Sequence, residues 1–148
     1  MGDGGMIIPG SDPLVTPVHV RKTLTFLNSS GTVDVFTITG LVRGLYLTAR
    51  CTTNVVEDGA VTSIELGGAT DPDGFIVQTN PSLLLANKWW KDATPIAGPA
   101  QIEDIQKDWL TDEDIIATII GGTDLDSGVI VFDVSYVPVT DGASLVAA

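Results

Sequence analysis

From Val18 onward, hydrophobic and polar side chains alternate in short runs. Period-2 alternation predicts half-buried β-strands. Over Val18–Leu27, the residues Val18, Val20, Lys22, Leu24 and Phe26 share one face, and His19, Arg21, Thr23 and Thr25 share the other. Asn28-Ser29-Ser30-Gly31 reads as a turn. Thr32–Thr39 alternates again, with Val33, Val35, Thr37 and Thr39 opposing Asp34, Phe36 and Ile38. Gly40 and Gly44 bracket a kink, and Leu45–Cys51 resumes the pattern. Glu57-Asp58-Gly59 turns the chain into a strand over Ala60–Leu66. Phe75–Gln78 and Ser82–Ala86 read as two further short strands, separated by Asn80-Pro81. Ile115–Ile120 is a fully apolar strand closed by Gly121-Gly122. Thr123–Gly128 reads as a turn, Gly128–Val137 as a long strand with Ile130, Phe132, Val134 and Tyr136 on one face, and Leu145–Ala148 as a tail. Residues 87–114 break the pattern. Pro95, Gly98 and Pro99 interrupt its first half, and Ile102, Ile105 and Trp109 admit either a short helix over 101–108 or an irregular strand.

Composition sharpens this picture. The 148 residues include 16 Val, 13 Ile and 17 Thr, side chains that suit a pleated, half-buried surface. The expected fold is all-β: one antiparallel β-sandwich or jelly-roll-like domain over 18–148. Residues 1–17 differ. Pro9, Pro13 and Pro17 keep that segment extended, yet Met6, Ile7, Ile8, Leu14 and Val15 are too apolar for a solvated tail. It reads as an arm that orders on the body or on a neighbouring subunit.

Charge and candidate chemistry mainly exclude. The formal net charge of −12 argues against a surface built for nucleic-acid backbones. No apolar run is long enough to span a bilayer, and no basic start followed by an apolar stretch marks a signal peptide. One cysteine, Cys51, excludes an internal disulfide framework and reads as a small buried hydrophobe. One histidine, His19, makes a His-based triad or zinc site a poor expectation and reads as a surface or interface residue. Asp71-Pro72-Asp73-Gly74 and Asp124-Leu125-Asp126-Ser127-Gly128 resemble calcium loops, but the second places Val129 where glycine is required and Ser135 where glutamate is required. Both are read as turns. Glu103, Asp104, Asp108, Asp112, Glu113 and Asp114, with Lys107 the only base among them, read as a solvated acidic face. No catalytic, cofactor or metal residues are assigned, and the chain is not expected to be an enzyme. Residues 1–50 carry a net +1 and residues 101–148 a net −9, which suggests a basic inner end beneath an acidic outer side. Adjacent strand residues point to opposite faces, so of Trp89 and Trp90 one is expected in the core and the other at a partner.

Several short segments occur in an informative order: Lys22–Phe26 (KTLTF), Gly31-Thr32-Val33, Phe36–Gly40 (FTITG), Ile64–Gly67 (IELG), Trp90-Lys91-Asp92 with Pro95 (WKDATP), and Gly128 to Asp141-Gly142 (GVIVFDVSYVPVTDG). Over residues 18–143 the chain resembles a family of small structural proteins from tailed bacteriophages. It departs from that pattern at Tyr136-Val137-Pro138, where the family resemblance leads one to expect Trp-Arg-Pro, and in a longer acidic insert at 101–114. The resemblance implies a virion protein on the capsid surface, assembled in host cytoplasm. It further implies a decoration (cement) role with the major capsid protein as partner, in a homo-oligomer with a trimer favoured. No nucleic acid or membrane partner is expected. The residues expected to meet the capsid or a sister subunit are Met6, Ile7, Ile8, Leu14, Val15, Trp89 and Trp90. Two rival roles stand beside it: a tail, head–tail junction or fibre component, and a carbohydrate-binding adhesion module using a tryptophan as its platform.

Overall fold

The alternating segments pair into two antiparallel sheets in the computed structural model, which describes residues 16–59, 61–98, 106–122 and 124–148. The strands are β1 (Val18–Ser29), β2 (Gly31–Thr39), β3 (Val42–Glu57), β4 (Val61–Gly67), β5 (Ile76–Thr79), β6 (Lys88–Trp89), β7 (Ile96–Ala97), β8 (Gln106–Thr111), β9 (Ile115–Gly121), β10 (Leu125–Pro138) and β11 (Ser144–Ala147). The first sheet runs β1-β10-β3-β6-β7, with β8 also pairing β3. The second runs β11-β2-β9-β4-β5. Consecutive strands mostly change sheets, and β9 and β10 insert centrally, β9 between β2 and β4 and β10 between β1 and β3. The order β1-β10-β3-β8 facing β2-β9-β4-β5 is that of a jelly roll. The all-β sandwich expected from the alternation is what forms.

The core lies between the sheets. The first contributes Leu24, Phe26, Leu47, Ala49, Cys51, Ile130, Phe132 and Val134, and the second Phe36, Ile38, Ile64, Leu66, Ile115, Ala117 and Leu145. Even positions of β1 and β10 face inward, as the alternation predicts. In β2 the pattern breaks. Pairing with β9 passes from Asp34↔Ile116 to Phe36↔Ile115, so Val35 is an extra residue. Val35 and Phe36 are then both fully buried, and the inward set changes phase from Val33 and Val35 to Phe36 and Ile38. One inserted residue inverts the face of everything after it.

Three other expectations are corrected and one open alternative is resolved. Ser82–Ala86 is not a strand: Pro81–Leu83 is a 3-10 turn, because the Asn80 side chain accepts from the Ser82 backbone N–H at 3.0 Å and Pro81 cannot donate. Leu125–Ser127 belongs to β10 rather than to a turn, paired irregularly with β3. Leu145–Ala148 is not a loose tail: β11 zips onto β2 from Ser144↔Thr39 to Ala147↔Phe36 and buries Leu145. Of the two forms open to 101–108, the described part, Gln106 onward, is strand. The arm residues Met6, Ile7, Ile8, Leu14 and Val15, and also Ile102, Glu103, Asp104 and Ile105, lie outside the described residues.

Gly44 shows why a glycine stands in mid-strand. It faces Trp109 across the β3–β8 pair, and a Cβ there would come within 1.9 Å of the indole. The ring therefore lies flat on the Gly44 backbone. Its other surroundings include Phe75, edge-to-face at 4.9 Å between ring centres, so Trp109 joins the two sheets at that end.

Candidate functional site

The fold sorts positive charge by sheet. All seven bases lie on or beside the first sheet: Arg21 and Lys22 on β1, Arg43 and Arg50 on β3, Lys88 on β6, Lys107 on β8, and Lys91 just past β6. No strand of the second sheet carries Lys or Arg. The linear blocks of charge read from the sequence do not survive as sides of the molecule. Residues 101–148 are divided between the sheets, with β10 central in the base-bearing one.

The solvent face of the first sheet holds a groove of about 260 Å³, lined by Arg21, Arg50, Thr52, Trp89, Val131 and Asp133. Strand register builds it. One row across the sheet is Thr23, Val131, Arg50 and Trp89, and the next is Arg21, Asp133 and Thr48. Arg21 Nε donates to Asp133 Oδ1 at 2.8 Å, and His19 Nε2 lies 3.0 Å from the same oxygen. Hydrogen bonding to Asp133, then its charge, raises the Arg21 pKa further above its ordinary value. Arg50 lies over the Trp89 ring, 5.9 Å from its centre, and donates through Nη2 to Asn87 Oδ1 at 3.2 Å. Trp89 is half-buried, its indole N–H donating to Gly98 O at 2.6 Å.

Trp89 and Trp90 diverge as adjacent strand residues should. Trp90 is only 2% exposed, inside the chain's own core. Its Nε1–H donates to Thr79 Oγ1 at 2.7 Å and its ring meets Phe132 edge-to-face at 6.4 Å. Of the two, Trp89 is the one within reach of a partner. Cys51 is fully buried, its thiol directed at the Thr53 and Leu84 carbonyls, and burial pushes its pKa up, away from reactivity.

A second cleft, about 230 Å³, opens between the sheets beside Trp109 and includes Thr70, Asp71, Phe75, Leu110 and Glu113. Glu113 accepts from the Thr70 backbone N–H at 2.9 Å and from its hydroxyl, and these bonds hold its carboxyl below the usual range. Asp71 is a turn residue, its carbonyl accepting from Gly68 and Gly74 at 3.0 Å each. The acidic stretch is partly structural. Asp108 pairs with Arg43 at 2.6 Å, and Asp114 accepts from the Ile38 N–H at 2.7 Å, where the bulged β2 has left its ladder with β9. Among the described residues, no group of three or more His, Cys, Asp or Glu side chains is arranged to hold a metal.

The Arg50–Trp89 juxtaposition escaped sequence reading because its members lie far apart in the chain. The available signal was the outward phase of Tyr46, Thr48 and Arg50 on β3.

No protein-family model matches the sequence. No curated protein matches it either. Among solved structures, the chain is similar to one from the acidic stable capsid structure of Helicobacter pylori bacteriophage KHP30, with a TM-score of 0.43 and 13% identity, covering 90% of this chain and 98% of that one. It is also similar to one from the cyanophage Pam1 capsid asymmetric unit, with a TM-score of 0.46 and 10% identity, covering 94% and 96%.

Proposed function

We propose that this protein is a structural component of a bacteriophage virion that decorates the head, binding the shell of major capsid protein and stabilising its mature form. The observation that carries this reading is the confinement of Lys and Arg to one sheet, with every base on or beside it and none on the strands of the other. A molecule with two unlike faces is suited to seat one on a large assembly and leave the other to solvent. The phage-like segments agree with this as framework: KTLTF lies within β1, FTITG closes β2, IELG ends β4, and GVIVFDVSYVP runs along β10. They build the sandwich.

Viral capsid and lectin domains both use jelly rolls, so the fold by itself does not choose between virion and adhesion roles. The tryptophans do bear on it. A sugar platform needs an open indole face, whereas Trp90 is in the core and Arg50 lies over Trp89.

Quantitative mass spectrometry of purified virions tests the location. A decoration protein is expected at copy numbers comparable with the shell subunit. A copy number that is a small fraction of the shell subunit's would assign the protein to the tail or head–tail junction instead.

A further inference from the structure

We infer that the groove over Val131 receives an aspartate or glutamate side chain of the shell protein, with Arg50 as the receiving cation. This rests on the docking role proposed above and names its contact. The chain has 19 acidic residues for seven Lys and Arg. Two of its three arginines use that surplus: Arg21 is on Asp133 at 2.8 Å and Arg43 on Asp108 at 2.6 Å. Arg50 does not. Among the described residues, its hydrogen-bond partner is the neutral Asn87 amide, and the Trp89 ring lies beneath it.

This arginine is held in place. Asn87 adopts a left-handed backbone (φ 71°), a conformation asparagine tolerates better than most residues, and its N–H donates to Cys51 O at 2.8 Å. The turn thus fixes the amide that orients the guanidinium. A guanidinium has five N–H donors in a planar fork that matches a carboxylate, and one bond to Asn87 leaves most of them free. The rest of the groove suits the same visitor. Asp133 is already met by Arg21 and His19, so it does not repel an incoming anion, and Val131 and Thr52 can floor the methylene stem. At about 260 Å³ the groove lies below the ~300–1,000 Å³ of sites that enclose a drug-sized ligand, and is of a size for one side-chain head.

The test uses the full-length protein and phage particles lacking it. Arg50→Gln is expected to weaken binding to these particles about ten- to a hundredfold, the range of a lost charge-assisted hydrogen bond. Its melting temperature should be unchanged. Arg50→Lys should recover only part of the loss, having charge without the fork. Asn87→Gly, which keeps the left-handed backbone and removes the amide, should give a smaller loss. In nuclear magnetic resonance titrations, N-acetylglutamate amide should shift the Arg50 side-chain and Trp89 indole signals in the unaltered protein and not in Arg50→Gln. Undiminished particle binding by Arg50→Gln would overturn the inference and leave the docking role standing. Response to methyl glucuronide but not to the capped glutamate would overturn it in favour of an acidic sugar. A changed self-association of Arg50→Gln with normal particle binding would overturn it in favour of a second copy. No binding by the unaltered protein would remove the docking role along with it.

Discussion

Replacing Trp90 with alanine should lower the unfolding free energy by about 3–5 kcal/mol, the usual cost of removing a large aromatic side chain from a packed core. Trp90 sits where the first sheet meets the β5 end of the second. Its backbone N–H donates to Ala49 O at 2.8 Å, its ring packs on Phe132, and its indole N–H reaches Thr79, itself 1% exposed. Trp90→Phe keeps most of the apolar area and removes one hydrogen bond, a loss of about 0.5–1.5 kcal/mol, because the Thr79 hydroxyl still donates to Val77 O at 2.8 Å. Trp89→Ala should cost clearly less than Trp90→Ala, because that residue is only half-buried. Urea denaturation of the three variants checks this order. Equal losses for Trp89→Ala and Trp90→Ala would contradict the placement of Trp90 in the core.

Leu145→Ala should cost about 2–5 kcal/mol, although the segment reads as a tail in the sequence. Leu145 is 1% exposed and faces Ile38 across the β11–β2 pair, while its neighbour Val146 is 52% exposed. The adjoining Ala148 is also tied in: its N–H donates to Val35 O at 3.1 Å and its carbonyl accepts from Lys22 Nζ. Val146→Ala should therefore stay within about 0.5 kcal/mol of the unaltered protein. Denaturation midpoints of the two variants separate a docked strand from a solvated tail, for which neither substitution would matter.

These residues also mark how much the sequence reveals. Long strands with one buried face were legible, because a strand's two-residue period writes itself into β1 and into the middle of β10, from Gly128 to Val134. The β2 bulge was not, since the alternation around Val35 looks continuous until the partner strand is known. The strand at Ser144–Ala147 is too short for a period to stand out. Leu125–Ser127 pairs with β3 despite aspartate, serine and a following glycine, and that glycine stands where a Cβ would lie 2.7 Å from Val55 Cα. For the site, it was readable that the two adjacent tryptophans diverge and that one of them enters the core. The sorting of positive charge by sheet was not, because β9 and β10 are neighbours in sequence and belong to opposite sheets.

If the protein clamps the shell, its contribution is binding free energy that favours the mature particle, and many copies add modest amounts by mass action. A contact that includes an exposed arginine–carboxylate pair is weakened as salt screens the charges. The most direct measurement is DNA release on heating, from particles with and without the protein, at low and at moderate salt. Decorated particles should release DNA at a higher temperature, and the difference should narrow at moderate salt. Identical release temperatures with and without the protein would contradict the account.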